Sequence, residues 1–430
     1  MRVGIAPVRP CSLPTPNSPA VVRCCAAAPS KPVRLGKRWM EYQGIKNWEG
    51  LLDPLDDNLR GEIIRYGKFV EAAYSSFEFD TSSPSYATCR FSTHSLLKNS
   101  GVSNTGYRVT KNLTATSGIK FPRWVEKAPS WVWNQSSWVG YVAICDDKDE
   151  IARLGRRDVV IAYRGTATCM EWLENLRATL THLPNAPSNV GPDIGGPMVE
   201  KGFLSLYTSE TATCRSLRDE VKEEVGRILQ RYGDEPLSLT ITGHSLGAAL
   251  ATLTAYDITT TFNSPAPLVT VISFGTPRVG NRSFSCHVER CGTKILRIVN
   301  SHDLITKVPG FVIDGHDHHG ELDSEEVGKR RKGAAGMAAG LPSWLQKRVE
   351  ETQWVYADVG RELRVSSGDS SYLTWPITNV VTHHDLDTYL QLVSGYVSSK
   401  CPLRDTAKRV LSGRRAEKCQ TQNKIRKLGG

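Results

Sequence analysis

The chain has 430 residues, 40% of them hydrophobic and 23% charged, which excludes a collagen-like, coiled-coil or wholly disordered protein. Its formal net charge of +10 comes from its ends: the first 40 residues carry seven basic and no acidic side chains, and residues 401–430 carry nine basic and two acidic ones. The 360 residues between have a net charge of −4, which argues against a nucleic-acid-binding domain, and no run of 18 apolar residues predicts a membrane-spanning helix.

Residues 1–38 have the composition of a targeting segment. They contain Pro, small residues and scattered Arg, but no acidic residue and no continuous apolar core, so they resemble an organelle transit peptide more than a secretory signal. The stretch Val21–Ala28 resembles a chloroplast processing site. We therefore expect a chloroplast location, in the stroma or peripherally on a thylakoid or plastoglobule. A disordered basic tail that carries no address is the alternative.

The eleven cysteines predict free thiols rather than a disulfide framework. The number is odd, and the eight that remain after Cys11, Cys24 and Cys25 leave with the transit peptide are scattered without a Cys-x-x-Cys pair. Cys286 and Cys291 are close enough in sequence for a redox-responsive pair, which is the less favoured alternative.

Strands and helices are predicted to alternate after an aromatic-rich entry region at residues 39–140, which includes a helix at Gly61–Ser76. Residues 141–400 predict an α/β fold, a mostly parallel sheet flanked by helices in a single large domain, followed by a basic tail at 401–430. The predicted strands are Val139–Cys145, Asp158–Tyr163, Leu237–Thr242, Leu268–Phe274, Thr293–Val299 and Trp354–Val365, and the predicted later helices are Thr213–Tyr232, Leu246–Phe262 and His384–Val397.

The segment Thr242-Gly243-His244-Ser245-Leu246-Gly247 carries the strongest functional signal. A Gly-x-Ser-x-Gly pattern between a strand and a helix is typical of a nucleophile elbow, where a strained turn exposes the serine hydroxyl. Gly243 and Gly247 lack a Cβ, which lets the strand and helix backbones approach each other. We therefore predict that Ser245 is a nucleophile at the carboxyl edge of the sheet.

A serine nucleophile needs a base and an orienting carboxylate, which in α/β-hydrolases follow the serine as Asp or Glu and then His. Asp303 stands just after a predicted strand, at its carboxyl end, and is the favoured acid. Asp257 is predicted to lie on the surface of the elbow helix. The acidic candidates are Asp257, Asp303, Asp314 and Asp317, and the candidate bases are His302, His316, His318, His319, His383 and His384.

The cluster His316-Asp317-His318-His319 stands in a Gly-rich loop without helical His-x-x-x-His spacing, so we predict a structural loop there rather than a metal site. His383 and His384 occur late in the chain, at the start of the last predicted helix, where the hydrolase order places the base. No metal or organic cofactor is predicted.

Several short motifs, each weak alone, together resemble the class 3 lipases and, more narrowly, the plant class I phospholipases A1 of plastids. The resemblance covers roughly residues 45–400. Its motifs are Tyr163-Arg164-Gly165-Thr166, Glu171-Trp172-Leu173-Glu174-Asn175-Leu176, Lys201-Gly202-Phe203-Leu204, Gly243-His244-Ser245-Leu246-Gly247, Phe274-Gly275-Thr276-Pro277-Arg278-Val279-Gly280, Asn300-Ser301-His302-Asp303 and His384-Asp385-Leu386.

The resemblance implies an α/β-hydrolase fold and a triad of Ser245, Asp303 and His384. His384 is preferred to His383 because the family's His–Asn/Asp–Leu element matches residues 384–386. It also implies an oxyanion hole formed by the amides of Thr166 and Leu246. A plain turn is the alternative role for Thr166.

An apolar stripe at helical spacing follows, formed by Met170, Trp172, Leu173, Leu176 and Leu180. Such a stripe usually packs into a core, but in similar lipases a helix at this point is the lid, so we predict a lid at about residues 167–182 with Trp172, Leu173 and Leu176 facing the substrate. The basic tail after residue 400 is expected either to contact anionic lipid or to be merely disordered.

The implied activity is a serine acylhydrolase that releases fatty acid from the sn-1 position of phospholipids or galactolipids at a membrane or lipid-droplet surface. The alternatives are a tri- or diacylglycerol lipase and a catalytically silent lipase-like interaction protein. Head-group preference and oligomeric state do not follow from the sequence.

Overall fold

The computed structural model describes residues 34–116, 136–166, 179–184, 186, 196–262, 267–308, 356–366 and 380–396, all in one compact unit that begins at Arg34. The predictions for residues 1–33, most of the lid segment, the His316–His319 loop and the basic tail lie outside these residues. Within them, no helix is long and apolar enough to cross a membrane.

Nine strands are described. Seven of them form one sheet in the order β1-β2-β3-β6-β7-β8-β9, and β4 and β5 form a separate antiparallel pair. The strands are β1 (Tyr107–Thr116), β2 (Ser136–Cys145), β3 (Arg157–Tyr163), β4 (Leu180–His182), β5 (Met198–Glu200), β6 (Leu237–His244), β7 (Leu268–Phe274), β8 (Lys294–Asn300) and β9 (Arg361–Val365). Strands β3, β6, β7, β8 and β9 are parallel, whereas β1 and β2 extend the sheet as an antiparallel edge.

The described α-helices cover both faces of this sheet. They are α1 (Trp39–Tyr42), α2 (Asp57–Ser75), α3 (Leu96–Asn99), α4 (Lys148–Leu154), α5 (Lys201–Thr208), α6 (Leu217–Tyr232), α7 (Leu246–Thr261), α8 (Arg282–Arg290), α9 (Val380–His384) and α10 (Leu386–Gly395). These elements confirm the predicted α/β class with a mostly parallel sheet.

Alternate residues of the central strands enter two separate hydrophobic clusters, one on each face. Leu239 and Ile241 of β6 pack with α5, α6, α7 and α8, whereas Val160 and Ala162 of β3 face the layer of α2, α4 and α10. The period-2 alternation of a strand produces this division, because successive side chains point to opposite faces. The carboxyl ends of the parallel strands therefore share one edge.

Helix α2 anchors the N-terminal region to the sheet through a buried cluster of charges. Asp158 at the start of β3 accepts hydrogen bonds from Ser238 (2.7 Å), Tyr107 (2.8 Å) and Arg65 of α2 (3.1 Å). Arg156 is fully buried and pairs with Glu62 of the same helix at 3.3 Å. The remainder of α2 runs toward the opposite edge of the sheet, where its Tyr74 contacts the serine elbow.

Three local predictions need correction. The helix expected at His384–Val397 is present but begins at Leu386, because the Asp385 carboxylate caps α10 by accepting from the Thr388 amide at 3.2 Å, and His384 ends the preceding helix α9. Leu180, expected on the helical stripe, starts strand β4. Asp257, expected on the surface, is half-buried: it accepts from the Tyr207 hydroxyl at 3.2 Å and pairs with Lys222 at 3.0 Å.

The cysteines in the described part of the chain are free thiols, as expected. Cys286 lies in the middle of α8 and Cys291 caps its C-terminal end, and both are free thiols.

Candidate active site

Ser245 occupies a strained turn between β6 and α7. Its backbone has φ +57° and ψ −125°, a conformation that costs a non-glycine residue on the order of 1–3 kcal/mol. The surrounding structure holds it there, because the Ser245 amide donates to the Phe274 carbonyl at 3.0 Å. Ser245 is 2% exposed. This strand–turn–helix arrangement is the one that the Gly-x-Ser-x-Gly pattern predicts.

Two glycines make the tight turn possible. A Cβ on Gly243 would collide with the carbonyl of Gly247, and a Cβ on Gly247 would collide with the backbone of Tyr163 and Arg164 at the end of β3. Because only glycine fits at both positions, the first turn of α7 lies directly against the sheet edge.

Asp303 and His384 form a buried dyad at the same edge. Nδ1 of His384 donates to Oδ2 of Asp303 at 2.7 Å. Asp303 is 0% exposed and His384 is 4% exposed. Asp303 follows β8, and His384 is the last residue of α9. Gly275 has no Cβ and so leaves room for the pair. A Cβ there would lie 3.0 Å from Cε1 of His384 and 3.2 Å from Oδ2 of Asp303.

The Asp303 carboxylate has two further donors. The Tyr389 hydroxyl of α10 donates to Oδ2 at 2.6 Å, and the Ile305 amide donates to Oδ1 at 2.9 Å. Burial, followed by the neighbouring Asp303, raises the pKa of Tyr389 well above 10, so its hydroxyl keeps the proton that it donates. The carboxylate is therefore fixed in the orientation in which it holds the His384 ring.

His244 connects the elbow to the segment that carries His384. Its Nε2 lies 2.6 Å from the backbone carbonyl of His384, and the two rings are 4.7 Å apart between centroids. Its Nδ1 lies 2.7 Å from the Tyr74 hydroxyl of α2. Because His244 precedes Ser245 directly, these contacts place the elbow and the dyad side by side.

The segment after β3 lies against the serine. A Cβ on Gly165 would lie 3.0 Å from the Cβ of Ser245. The Gly165 amide donates to the Tyr74 hydroxyl at 2.9 Å, and its carbonyl accepts from Arg164 at 2.7 Å. Thr166 follows, and its buried hydroxyl has no hydrogen-bond partner in the described part of the protein.

Leu246 is the first residue of α7, so its amide has no acceptor within the helix. This N–H and that of Thr166 belong to the segments on the two sides of Ser245. The arrangement suits stabilisation of a negative oxygen formed by attack of the serine on an ester.

The structure separates the other candidates from the dyad. His302 is exposed, and its ring stacks on that of His383 with centroids 5.4 Å apart. Asp257 faces Tyr207 and Lys222 instead. Asp314, Asp317, His316, His318, His319, Trp172, Leu173 and Leu176 lie outside the described residues. Among the residues that are described, no group of three or more His, Cys, Asp or Glu side chains could hold a metal.

Two residues of this site, Tyr74 and Tyr389, were not predicted from the sequence. Both are aromatic residues on amphipathic helices, and nothing in that pattern separates a tyrosine that fills the core from one whose hydroxyl bonds to a functional group. For Tyr389 the sequence offered one indication of a role in the site. It follows His384 by only five residues, so it lies close to the proposed base at the start of the next helix.

Comparison with known proteins gives consistent matches. The family model described as "Lipase (class 3)" matches residues 160–313. The chain is 65% identical over 384 residues to "Phospholipase A(1) DAD1, chloroplastic" of Arabidopsis thaliana, covering 89% of this chain and 82% of that protein.

Two further relatives from Arabidopsis thaliana are more distant. The chain is 38% identical over 377 residues to "Phospholipase A1-Igamma2, chloroplastic", covering 84% of this chain and 66% of that protein. It is 36% identical over 392 residues to "Galactolipase DONGLE, chloroplastic", covering 88% of this chain and 74% of that protein.

Proposed function

Because the chain belongs to the plant class I phospholipases A1 within the class 3 lipase family, and is thus a carboxylic ester hydrolase, we propose that Ser245, His384 and Asp303 are its catalytic triad. The observation that carries the proposal is the 2.7 Å hydrogen bond from His384 Nδ1 to the buried carboxylate of Asp303, beside a strained serine elbow. With Nδ1 as the donor, Nε2 of neutral His384 carries no hydrogen, which is the state that a general base needs.

Acyl transfer then follows from the roles of these groups. His384 takes the proton of Ser245 as its hydroxyl attacks the ester carbonyl, and the resulting imidazolium is stabilised by Asp303. The amides of Thr166 and Leu246 donate to the tetrahedral oxyanion, and each such donor contributes on the order of 3–4 kcal/mol of transition-state stabilisation. His384 returns the proton to the leaving alcohol, and a water molecule activated in the same way deacylates Ser245.

The proposed substrates are membrane glycerolipids, with fatty acid released from the sn-1 position. Relatives named phospholipase A1 and galactolipase support phospholipids and galactolipids as the two head-group classes. An ester bond in a lipid assembly must reach a serine that is 2% exposed. We therefore propose that the part of the predicted lid that precedes strand β4, from about residue 167 and with Trp172, Leu173 and Leu176, is a lid that moves to admit the acyl chains.

The proposed location is the chloroplast, with the enzyme in the stroma or peripherally on a thylakoid or plastoglobule. The relatives' names, which include "chloroplastic", and the composition of residues 1–38 support it. Residues 39–140 would pack on the hydrolase domain at 141–400, and the basic residues of 401–430 would favour an anionic lipid surface. Fusion of residues 1–45 to a fluorescent protein tests the address: plastid fluorescence supports it, and a diffuse cytosolic signal contradicts it.

A lipid-class assay tests the substrate proposal. Purified phosphatidylcholine, monogalactosyldiacylglycerol and triolein are presented in identical mixed micelles, and released fatty acid is measured against a Ser245→Ala control. We expect hydrolysis of one or both polar lipids to exceed that of triolein. Faster hydrolysis of triolein would identify a neutral-glyceride lipase, and Ser245-independent background alone on all three would identify a silent interaction protein.

A further inference from the structure

The ring of His244 takes part in two hydrogen bonds, one through each nitrogen. Its Nε2 is 2.6 Å from the carbonyl oxygen of His384, and its Nδ1 is 2.7 Å from the hydroxyl oxygen of Tyr74. The residue is 5% exposed. It is not a member of the proposed triad, yet it contacts the backbone of the proposed base.

The protons in this chain of contacts can be assigned from chemistry. A carbonyl oxygen only accepts, so Nε2 of His244 must carry the hydrogen. In the neutral ring Nδ1 is then an acceptor, and the Tyr74 hydroxyl donates to it. Neutrality is favoured here because burial, and secondarily the adjacent His384, hold the pKa of His244 well below 6.5.

Tyr74 extends the chain to the other side of the serine. Its hydroxyl oxygen accepts from the Gly165 amide at 2.9 Å while its proton goes to His244. Four groups thus follow one another in donor-to-acceptor order: the Gly165 amide, the Tyr74 hydroxyl, the His244 ring and the His384 carbonyl. The first belongs to the residue before the proposed oxyanion donor Thr166, and the last to the proposed base.

Each link comes from a different part of the fold. Gly165 follows β3, Tyr74 is near the end of α2, His244 ends β6, and His384 ends α9. Helix α2 lies outside residues 160–313, which the class 3 lipase model matches. The N-terminal region therefore supplies a hydroxyl that lies between the two halves of the site.

We propose that His244 and Tyr74 are positioning residues that fix the distance between the oxyanion segment at Gly165–Thr166 and the base at His384. This inference rests on the proposed triad and adds two residues that do not touch the substrate. Breaking either link leaves the ground-state binding of acyl chains intact and lets one half of the site shift relative to the other. Its effect therefore falls on kcat rather than on KM.

Paired variants of the full chain test the link to His384. Gln at position 244 retains an amide donor near the former Nε2, whereas Met has a similar length and no donor. We expect His244→Gln to retain a kcat about tenfold or more above that of His244→Met, with KM values within about threefold, since a lost buried hydrogen bond costs about 1–3 kcal/mol. Equal kcat values for the two variants would overturn the proposal.

A second pair tests the link through α2 by removing a single oxygen atom. Tyr74→Phe leaves the Gly165 amide and His244 Nδ1 without this hydroxyl, whereas Tyr141→Phe removes a buried hydroxyl that donates to the Phe69 carbonyl at 2.8 Å, away from the site. We expect Tyr74→Phe to lower kcat about tenfold and Tyr141→Phe to lower it less than twofold, at similar thermal midpoints. Equal kcat values for these variants would overturn the role of Tyr74.

Two controls separate this inference from the function on which it rests. In a double variant, Tyr74→Phe with His244→Met, kcat should fall no further than in the worse single variant, because both substitutions break the same series of hydrogen bonds. If the two reductions in kcat multiplied instead, the hydrogen bonds would not act as one series. Ser245→Ala is assayed in parallel. If Ser245→Ala loses hydrolysis while the kcat values within both pairs are equal, only the positioning role of His244 and Tyr74 is rejected. If Ser245→Ala hydrolyses as fast as the wild type, the proposed triad is rejected.

Discussion

The hydroxyl of Tyr389 donates to the Asp303 carboxylate at 2.6 Å, across 86 residues of sequence. Both side chains are fully buried, and the carboxylate oxygen that accepts this bond also accepts from His384. The helix after the proposed base thus returns a donor to the proposed acid, and the orientation of Asp303 depends on both.

Removal of this donor should weaken catalysis more than it weakens folding. We expect Tyr389→Phe to lower kcat about tenfold, because Asp303 loses one of its hydrogen bonds and holds His384 less firmly. Tyr163→Phe is the matched control, since it removes a buried hydroxyl that bonds to Thr254 on another face of the sheet. Steady-state kinetics on a soluble short-chain ester measure both, and equal kcat values would contradict the prediction.

A methyl group at Gly275 should disturb the dyad directly. Gly275→Ala would place its Cβ 3.0 and 3.1 Å from two atoms of the His384 ring, in a backbone with φ +57°. Gly292→Ala meets similar backbone strain at φ +84° and has nothing within 4 Å of the added Cβ.

Both alanine variants should lose about 1 kcal/mol of unfolding free energy through strain. Only Gly275→Ala should also lose activity, by about tenfold or more in kcat at a temperature where both are folded. Equal specific activities of the two folded variants would show that the dyad tolerates the group.

The buried neutral His244 should make stability depend on pH. Burial, followed by His384, holds its native-state pKa well below the ordinary 6.5. As pH falls below 6.5, the unfolded chain therefore binds a proton that the native state does not, and the free energy of unfolding falls by up to about 1.4 kcal/mol per pH unit from this group.

Urea unfolding at pH 7.5 and 5.5 measures this contribution. His244→Gln should lose less stability over that interval than the wild type, whereas His94→Gln, at an exposed position, should match the wild type. Indistinguishable pH dependences for wild type and His244→Gln would mean that the native-state pKa of His244 is not lowered.

The buried charge cluster beneath α2 should be essential to stability. Asp158→Asn leaves Arg156 and Arg65 without that carboxylate, and breaking one partner of a buried ion pair costs about 3–5 kcal/mol. Asp149→Asn, on the exposed first turn of α4, should change the unfolding free energy by less than about 1 kcal/mol. Urea denaturation of both at pH 7.5 measures the difference, and a similar small loss in both would contradict this account.

The elbow was predictable because its signal is local. A strand, a small-residue turn and a helix lie within a few residues of Ser245. The glycines in the turn indicate that two backbones approach closely there, because a larger residue would not fit. Asp303 and His384 were predictable from chain order and family motifs. Their hydrogen bond is a tertiary contact that no local pattern contains.

The errors have specific physical causes. Strand β1 was missed because Arg108, Lys111 and Asn112 interrupt its apolar alternation, as happens in an edge strand that is buried on one side only. Asp385 lies between two helices and caps the second one. The residues around it are all compatible with a helix, so the sequence did not show that one helix ends and another begins there. Asp257 was misplaced because α5 and α6 cover the outer face of α7, which its own sequence does not show.

The most direct test of the account is the initial rate of fatty-acid release from phosphatidylcholine labelled in its sn-1 acyl chain, measured for wild type and Ser245→Ala. Loss of the nucleophile should reduce the rate by about 10⁴-fold or more, with the far-UV circular dichroism unchanged. A folded Ser245→Ala protein that retained a rate within tenfold of the wild type would contradict it.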